Sequence, residues 1–363
     1  MLAIGLMSGT SRDGIDAALI ETDGEGAVTP IAFHAQPYAE GFRMRLAEAC
    51  ERAMAMENPG FEPLIASVET ELTELHVEAV ADLLGRSGRI AQDIGIIGFH
   101  GHTIAHRPER RWTWQIGDGA ALAGAFGIPV VGDLRGADVA AGGQGAPLMP
   151  VYHRALASAL PRPVAILNLG GVANITAIGM DEDDLVAFDT GMASGLIDNW
   201  MQAHGDAAFD AGGATAAKGR VDEDRVAAML ADSWFALPPP KSIDREAFTT
   251  TPMAGLSLED GAATLTAFSA AGVARGIAHL RDRPALLYVA GGGRHNGTMM
   301  RMLAEQTGII VRPVDELGWD GDALEAQGFA YMAVRRLASL PISFPGTTGA
   351  PRPMTGGVIF PPA

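Results

Sequence analysis

The chain has 363 residues, more than a single domain usually contains, which predicts two lobes. Hydrophobic residues make up 48% and charged residues 19%, enough apolar material for packed cores, which argues against disorder. A formal net charge of −17 disfavours binding to nucleic acid and to anionic lipid, so we expect neither partner.

Cysteine usage and the N-terminus predict a cytoplasmic protein. Cys50 is the single cysteine, so an intrachain disulfide is excluded and a reducing compartment fits best. Residues 1–5 carry no basic region or cleavage site. No apolar run approaches the roughly 20 residues that a membrane-spanning helix needs.

Strand and helix patterns alternate, which predicts an α/β fold with glycine-rich turns at strand ends. The predicted strands lie at 2–7, 17–22, 94–99, 129–133, 164–169, 173–178, 185–188 and 286–290. The predicted helices lie at 62–84, 194–204, 258–280 and 322–340. Strand groups 2–22 and 164–188 look like two versions of one unit. We place an N-terminal lobe at 1–130 and a C-terminal lobe at 131–363, whose tail, from 341, is a loop or a docked extended segment.

The turn between the first two predicted strands has the composition of a phosphate-binding loop. Residues 5–16 are dense in glycines and hydroxyls: small residues let the backbone approach a phosphate, and Thr10 and Ser11 can donate to its oxygens. Asp13 and Asp16 can hold magnesium directly or through water. No Gly-Lys-Ser/Thr follows, so this is not a Walker loop. An ordinary hairpin turn, the alternative, needs only one or two such residues.

Asp189 follows a predicted strand and precedes Thr190 and Gly191. This arrangement suits a general base facing a phosphate, with Thr190 and Gly191 against the phosphate oxygens. A helix N-cap is the alternative interpretation of an Asp at a strand end.

A triple glycine, 291–293, stands at another strand-to-helix junction, followed by His295 and Asn296. The glycines allow close backbone approach to a base or ribose, and Asn296 can cap the next helix. The alternative is a tight turn with no ligand.

His100 and His102 are two residues apart after a strand, but no third metal ligand is near in sequence, which disfavours zinc. A sugar-hydroxyl contact by His100 and a packed, structural histidine are both open. Arg135 suits a substrate carboxylate, or an ion pair with Asp133 or Asp138.

The order of these blocks resembles the ATPase class that includes actin, hexokinase and acetate kinase. In detail the chain resembles the anhydro-N-acetylmuramic acid kinase family. The matching blocks are 5–16, 98–108, 115–118, 131–150, 167–176, 188–191, 291–296 and 348–357. The resemblance implies a two-lobed actin-like, ribonuclease H-like ATPase fold with an interlobe active-site cleft, and a homodimer.

The resemblance also implies a reaction. An ATP-dependent kinase would open 1,6-anhydro-N-acetylmuramic acid with water and phosphorylate O6, giving N-acetylmuramate 6-phosphate and ADP in peptidoglycan recycling. Asp189 would be the general base, Asp16 would serve magnesium, and the sugar would contact His100, Arg135 and Glu325. The implied ATP contacts are Gly9, Thr10, Ser11, Arg12, Asp13, Gly14, Ile15, Asp16, Asn168, Gly170, Gly171, Thr190, Gly191, Gly291, Gly292, Gly293, His295 and Asn296.

Two positions depart from the family pattern, and a third residue has two possible roles. The family pattern has Gln where His102 stands, and Pro where Met192 follows Asp-Thr-Gly. Glu325 lies near Asp320 and Asp322, so it is either a sugar contact or part of a solvated helix start. A conventional sugar or carboxylate kinase and a non-catalytic ATP or sugar sensor remain alternative functions.

Overall fold

The computed structural model describes residues 1–181, 184–244 and 247–362. Its strands are β1 (Leu2–Ser8), β2 (Gly14–Thr22), β3 (Val28–Pro37), β4 (Ile96–Arg107), β5 (Trp112–Ile116), β6 (Val130–Gly132), β7 (Val164–Leu169), β8 (Val172–Ile178), β9 (Leu185–Met192), β10 (Leu286–Ala290), β11 (Ile310–Pro313) and β12 (Val358–Phe360). Its helices are α1 (Glu40–Ala55), α2 (Pro63–Ser87), α3 (Gly119–Phe126), α4 (Gly136–Ala141), α5 (Pro150–Leu156), α6 (Ser194–His204), α7 (Glu223–Leu230), α8 (Leu258–Ile277), α9 (Gly297–Thr307), α10 (Leu324–Leu337) and α11 (Pro345–Thr348). Every strand and helix predicted from the sequence is present.

The chain forms two compact units. The first consists of Met1–Ser158 and the chain from Ala323 onward, and the second of Ala159–Asp322. The sequence predicts a single boundary near residue 130. The observed division differs because β6 pairs with β4 in the first sheet, and because α10 and the tail return to that sheet.

The two sheets share one strand order. In the first, β3, β2 and β1 are antiparallel, and β4 and β6 continue parallel to β1; β12 and β5 add to this sheet. In the second, β9, β8 and β7 are antiparallel, and β10 and β11 continue parallel to β7. This repetition confirms that the strand groups at 2–22 and 164–188 are versions of one unit. It also confirms the predicted α/β class with a ribonuclease H-like topology.

Each sheet is covered by helices whose sequences predict their burial. The face of α2 at Ile65, Val68, Leu72, Ala79 and Leu83 is buried, as its three- and four-residue spacing predicts. Helix α8 is buried on nearly every side, since its Ala and Gly residues let α6, α7, α9 and β9 pack closely around it.

The first sheet is also covered by α10, whose backbone lies almost directly on two glycines. A Cβ on Gly5 would stand 1.8 Å from the carbonyl oxygen of Ala326, and one on Gly98 would stand 2.0 Å from that of Phe329. The tail beyond α10 adds β12 antiparallel to β6, so part of the predicted extended segment is docked on the sheet. Within the described ranges, no helix is long and apolar enough to cross a membrane.

Candidate active site

The turn between β1 and β2 is held by its own polar groups. The Arg12 N–H donates to the Gly9 carbonyl (3.0 Å), Ser11 Oγ donates to Asp13 Oδ1 (2.7 Å), and Arg12 has a left-handed φ of 56°. The Asp13 carbonyl in turn accepts the N–H of Tyr38 (2.9 Å). The backbone of residues 9–13 is therefore shaped by local bonds and by Tyr38, the residue after β3, while Thr10 stays exposed.

The remaining hairpin residues lie on β2. Gly14 has no room for a side chain, because its Cβ would stand 2.3 Å from the Gln36 carbonyl oxygen. The Ile15 side chain is fully buried in the core, so only its backbone can face a ligand. Asp16 pairs across the hairpin with Met7.

His102, which departs from the family pattern, lies buried beneath this hairpin. Its Nδ1 is 2.8 Å from Ser8 Oγ, which also contacts the Tyr38 hydroxyl (2.6 Å), and its Nε2 is 3.9 Å from Cys50 Sγ. Burial, and secondarily the charge of Arg12, lower the pKa of His102 to about 4. A neutral imidazole thus supports the end of β1 and does not face the pocket beside His100.

Asp189 lies near the end of β9, as predicted, and hydrogen bonds hold both its backbone and its side chain. Its N–H donates to the Lys241 carbonyl (2.9 Å), and its Oδ2 accepts the N–H of Ile243 (2.9 Å). Burial raises the pKa of the Asp189 carboxyl to about 7, although the residue retains some solvent exposure. A carboxylate that is desolvated and still reachable is suited to take a proton near neutral pH.

A β-bulge opposite Ala173 and Asn174 separates Asp189 from Gly191. Thr190 is turned into the core, where its hydroxyl donates to the Ala173 carbonyl (3.3 Å) and its methyl faces Gly276 of α8. The bulge therefore leaves the Thr190 hydroxyl occupied, and the chain continues through Gly191, which is buried and has φ of 136°.

The turn between β7 and β8 caps the start of α6. The Gly170 carbonyl accepts the N–H and Oγ–H of Ser194 (3.0 and 2.7 Å), and the Gly171 carbonyl accepts the N–H of Ala193 (3.0 Å). The Met192-Ala193-Ser194 segment, where the family pattern has Pro, is thus tied to the predicted glycine pair.

The glycine turn after β10 approaches β7 closely. A Cβ on Gly291 would stand 2.4 Å from Asn168 Oδ1, so this position excludes a side chain. Asn296 caps α9 by accepting the Met299 N–H (2.9 Å), which confirms the predicted cap. The buried Arg294 side chain fixes the turn by donating to the Gly291 carbonyl and to Asp315 and Asp322.

This turn forms one wall of a pocket of about 340 Å³ in the second unit, the size of a small-molecule site. Phe209, which is 58% exposed, stands at its edge. The predicted residues that the pocket brings together are Gly292, Gly293, His295 and Asn296, and its other lining residues were not predicted. Those walls are Leu169, Ser194, Ile197, Asp198, Phe209, Asp210, Gly212 and Met299.

In the first unit, His100 and Arg135 form a bonded pair. Arg135 Nε donates to His100 Nε2 (3.1 Å), Arg135 Nη1 donates to the Gly145 carbonyl (2.8 Å), and His100 Nδ1 lies 2.9 Å from the Gly101 carbonyl. Both histidine nitrogens are occupied, and burial holds the His100 pKa well below its usual value. His100 therefore orients Arg135, whose own pKa burial lowers to about 10, so that its guanidinium stays charged at neutral pH.

Arg135 forms no ion pair with Asp133 or Asp138, the two alternative partners considered from the sequence. Asp138 accepts the N–H of Gly145 and the hydroxyls of Ser343 and Thr348, so it ties the glycine loop at 142–145 to the tail. Glu325, at the start of α10, is an exposed residue, but desolvation by the protein around its carboxyl raises the pKa of that group. Arg135 attracts this carboxyl and Asp13 repels it, so the three side chains share one region.

In the described part of the chain, no three His, Cys, Asp or Glu side chains are grouped around a common metal position. Asp13 and Asp16 are two carboxylates of one hairpin, and proteins often hold magnesium with one or two carboxylates while substrate phosphates and water complete its shell.

One solved structure that aligns with the chain is a ROK family glucokinase from Streptomyces griseus in complex with glucose and AMPPNP. It aligns with a TM-score of 0.43 and 14% identity over 92% of this chain and 99% of that one.

Sequence comparison is far more specific. The profile of the family described as anhydro-N-acetylmuramic acid kinase matches residues 1–362. A protein of that name from Rhizorhabdus wittichii is 60% identical, covering 100% of this chain and 99% of that protein. One from Zymomonas mobilis is 54% identical over 99% of both chains. The resemblance inferred from the sequence blocks is confirmed, and the chain belongs to the anhydro-N-acetylmuramic acid kinase family.

Proposed function

We propose that the protein is an ATP-dependent kinase that opens 1,6-anhydro-N-acetylmuramic acid with water and phosphorylates O6. The products are N-acetylmuramate 6-phosphate and ADP, and the reaction serves peptidoglycan recycling. The environment of the Asp189 carboxyl is the observation that best supports this function. Its carboxyl stands at a strand end with one oxygen fixed by Ile243 and a pKa raised to about 7, which is the range a general base needs.

In this reaction Asp189 takes a proton from water as the water oxygen attacks the anomeric carbon. The bond between C1 and O6 breaks, and O6 attacks the γ-phosphorus of ATP as ADP leaves. The water oxygen remains as the C1 hydroxyl, and the proton passes from Asp189 to solvent. The leaving oxygen of the first step is the nucleophile of the second, so positioning supplies much of the acceleration.

The nucleotide would use both glycine turns. The pocket at Gly292 and Gly293 suits the base and ribose, and the backbone of residues 9–13 suits the phosphates. Asp13 and Asp16 would hold magnesium, which supplies charge neutralisation at the phosphates when bound. Arg135, held by His100, would bind the lactyl carboxylate of the sugar, and Glu325 would face a sugar hydroxyl.

The lobe roles, location and assembly are part of the same proposal. The N-terminal lobe would supply the phosphate hairpin, and the second unit would supply Asp189 and the nucleotide pocket. A cytoplasmic homodimer agrees with the resemblance and with the single cysteine of the chain.

The test is a product assay with ATP, magnesium and the anhydro sugar in oxygen-18 water, comparing wild type with Asp189→Asn. We expect a sugar 6-phosphate with the label at the anomeric carbon. We also expect a loss of about 100- to 10,000-fold in the variant, because the general base is removed. An untouched anhydro sugar would overturn the proposed substrate. A screen of free hydroxyl and carboxylate acceptors would then separate the conventional kinases from a sensor that binds ATP without turnover.

A further inference from the structure

The stretch of chain that holds Asp189, residues 238–244, belongs to no helix or strand. It opens with prolines at 238–240, which have no N–H groups with which to anchor it. Its Lys241 carbonyl accepts the N–H of Asp189, and its Ile243 N–H donates to Asp189 Oδ2 (both 2.9 Å). The position of the Asp189 carboxyl therefore depends on the contacts that fix this irregular stretch.

Two side chains tie this stretch to the short helical turn Ser233–Ala236. The Trp234 indole N–H donates to the Ser242 carbonyl (2.9 Å). The Lys241 ammonium lies 4.3 Å from the centre of the Trp234 ring, close enough for a cation–π interaction. It also donates to the carbonyls of Trp234 and Phe235 (both 3.2 Å). We call the indole and the ammonium together the Trp234–Lys241 clasp.

The turn Ser233–Ala236 rests in turn on the core of the second unit. Phe235 is 2% exposed and packs edge-on against Phe268 of α8. The Phe235 carbonyl lies 3.1 Å from His279 Nε2, just beyond the end of α8. A Cβ on Gly191 would stand 3.2 Å from the Phe235 ring, so this ring also supports the end of β9. The clasp is therefore anchored to the same core as the strand that carries the proposed base.

Lys241 contacts Asp189 through its backbone, while its charge is directed elsewhere. The ammonium donates to the two carbonyls of the turn, and desolvation lowers its pKa. The pKa of Asp189 is raised by burial, against the opposing effect of the Ile243 N–H. A cation beside the carboxyl would lower that pKa, so the clasp fixes the Lys241 backbone without weakening Asp189 as a base.

We propose that Trp234 and Lys241 are positioning residues, which hold the Asp189 carboxyl in its reactive orientation through the backbone of residues 241–243. The inference rests on the proposed function, in which Asp189 is the general base. A base must lie within hydrogen-bond reach of the proton that it takes. A small displacement of the carboxyl therefore slows the chemical step without weakening the binding of either substrate.

The first test is a double-mutant cycle with Asp189. We would measure single-turnover rates and both KM values for wild type, Trp234→Phe and Lys241→Met, each with and without Asp189→Asn. We expect each clasp variant to lower the wild-type rate about tenfold, with both KM values within about twofold. In the Asp189→Asn background the same substitutions should have no further effect, because the group that they position is gone.

This cycle distinguishes positioning from general damage to the fold. Damage would lower the rate equally in both backgrounds, and that result would overturn the proposal. A rate unchanged in either folded clasp variant would overturn it as well. Trp112→Phe is the matched control, because the Trp112 indole nitrogen has no hydrogen-bond partner among the described residues. Its rate should equal that of wild type.

Amide hydrogen exchange separates failure of the clasp from failure of the proposed function, since it needs neither ATP nor sugar. NMR would follow exchange of the Ile243 N–H, which donates to Asp189. We expect exchange about two- to tenfold faster in Trp234→Phe and Lys241→Met, and unchanged in Trp112→Phe. If wild type leaves the anhydro sugar untouched, the proposed reaction fails, and the exchange rates alone decide the clasp. Unchanged exchange in either folded clasp variant would overturn it.

Discussion

Ser8 Oγ lies 2.8 Å from Nδ1 of His102, which joins the last residue of β1 to the middle of β4 directly below the hairpin turn. Both side chains are buried, and burial keeps the imidazole neutral. The hydroxyl can therefore donate to the ring, and the Gln that we expect in the family at this position would offer an amide oxygen as acceptor.

From this pairing we expect His102→Gln to retain the KM for ATP within about threefold. We expect His102→Leu to raise it about tenfold and to cost about 1–2 kcal/mol of unfolding free energy, because the buried hydroxyl loses an acceptor. Steady-state kinetics and urea denaturation measure both effects. Equal behaviour of the Gln and Leu variants would contradict a role for the acceptor.

Asp189 predicts the pH dependence of the enzyme. A general base works when deprotonated, so kcat/KM should rise with pH and level off above about pH 7, the raised pKa of this carboxyl. Asp189→Asn should remove that limb of the profile as well as the activity. A profile in wild type that is flat between pH 5 and 8 would argue against Asp189 as the base.

The same raised pKa predicts that the free energy of unfolding falls as pH rises, whereas the activity rises. Because the folded state favours the protonated acid, the ionised Asp189 weakens the fold as pH rises through about 7. At pH 8 the free energy of unfolding of Asp189→Asn should therefore exceed that of wild type by on the order of 2–4 kcal/mol. The difference should vanish near pH 4, which urea denaturation at both pH values would establish.

Phe209 offers a test of the nucleotide pocket that does not disturb folding. Its ring lines the pocket and is 58% exposed, so truncation removes little buried surface. We expect Phe209→Ala to weaken ADP binding about tenfold, since base–aromatic stacking is worth about 1–3 kcal/mol. Phe209→Tyr, which keeps the ring, should bind as wild type does. Calorimetric titration with ADP measures this, and equal affinities for all three proteins would exclude stacking by Phe209.

Gly98 tests the packing of α10 on the first sheet. A Cβ there would stand 2.0 Å from the Phe329 carbonyl oxygen, so Gly98→Ala must displace the helix backbone and should cost more than about 3 kcal/mol. Gly85, inside α2, has no atom within 4 Å of its Cβ position. Gly85→Ala should therefore stabilise the protein by about 0.5–1 kcal/mol. Comparable losses in both variants by urea denaturation would refute this packing argument.

Elements such as α2 and β7 could be predicted because the apolar spacing of α2 and the continuous apolar run of β7 follow their burial. Strands β3, β5 and β11 were not predicted. Strand β3 escaped prediction because it is an edge strand, largely exposed and containing Pro30 and Pro37. Its sequence therefore lacks the alternation of a half-buried strand.

Within the candidate site, the sequence located strand ends and turns but not the partners of their side chains. Asp189 was predicted from its position after a strand, whereas its contact with Ile243 joins residues 54 positions apart. The bond between His100 and Arg135, like the pocket walls at Asp198 and Phe209, depends on tertiary packing that no local pattern encodes.

Helix α10 belongs to the first unit, although the whole second unit precedes it in the chain. It covers β1, β2 and β4, and its Tyr331 and Arg335 side chains donate to the carbonyls of Glu25 and Gly24. During synthesis β1 and β2 therefore leave the ribosome about 300 residues before the helix that covers them, and β4 about 220 residues before it. The nascent first unit must keep an apolar sheet face uncovered until the whole second unit and α10 have been translated, which makes this stage the natural point for a chaperone to act.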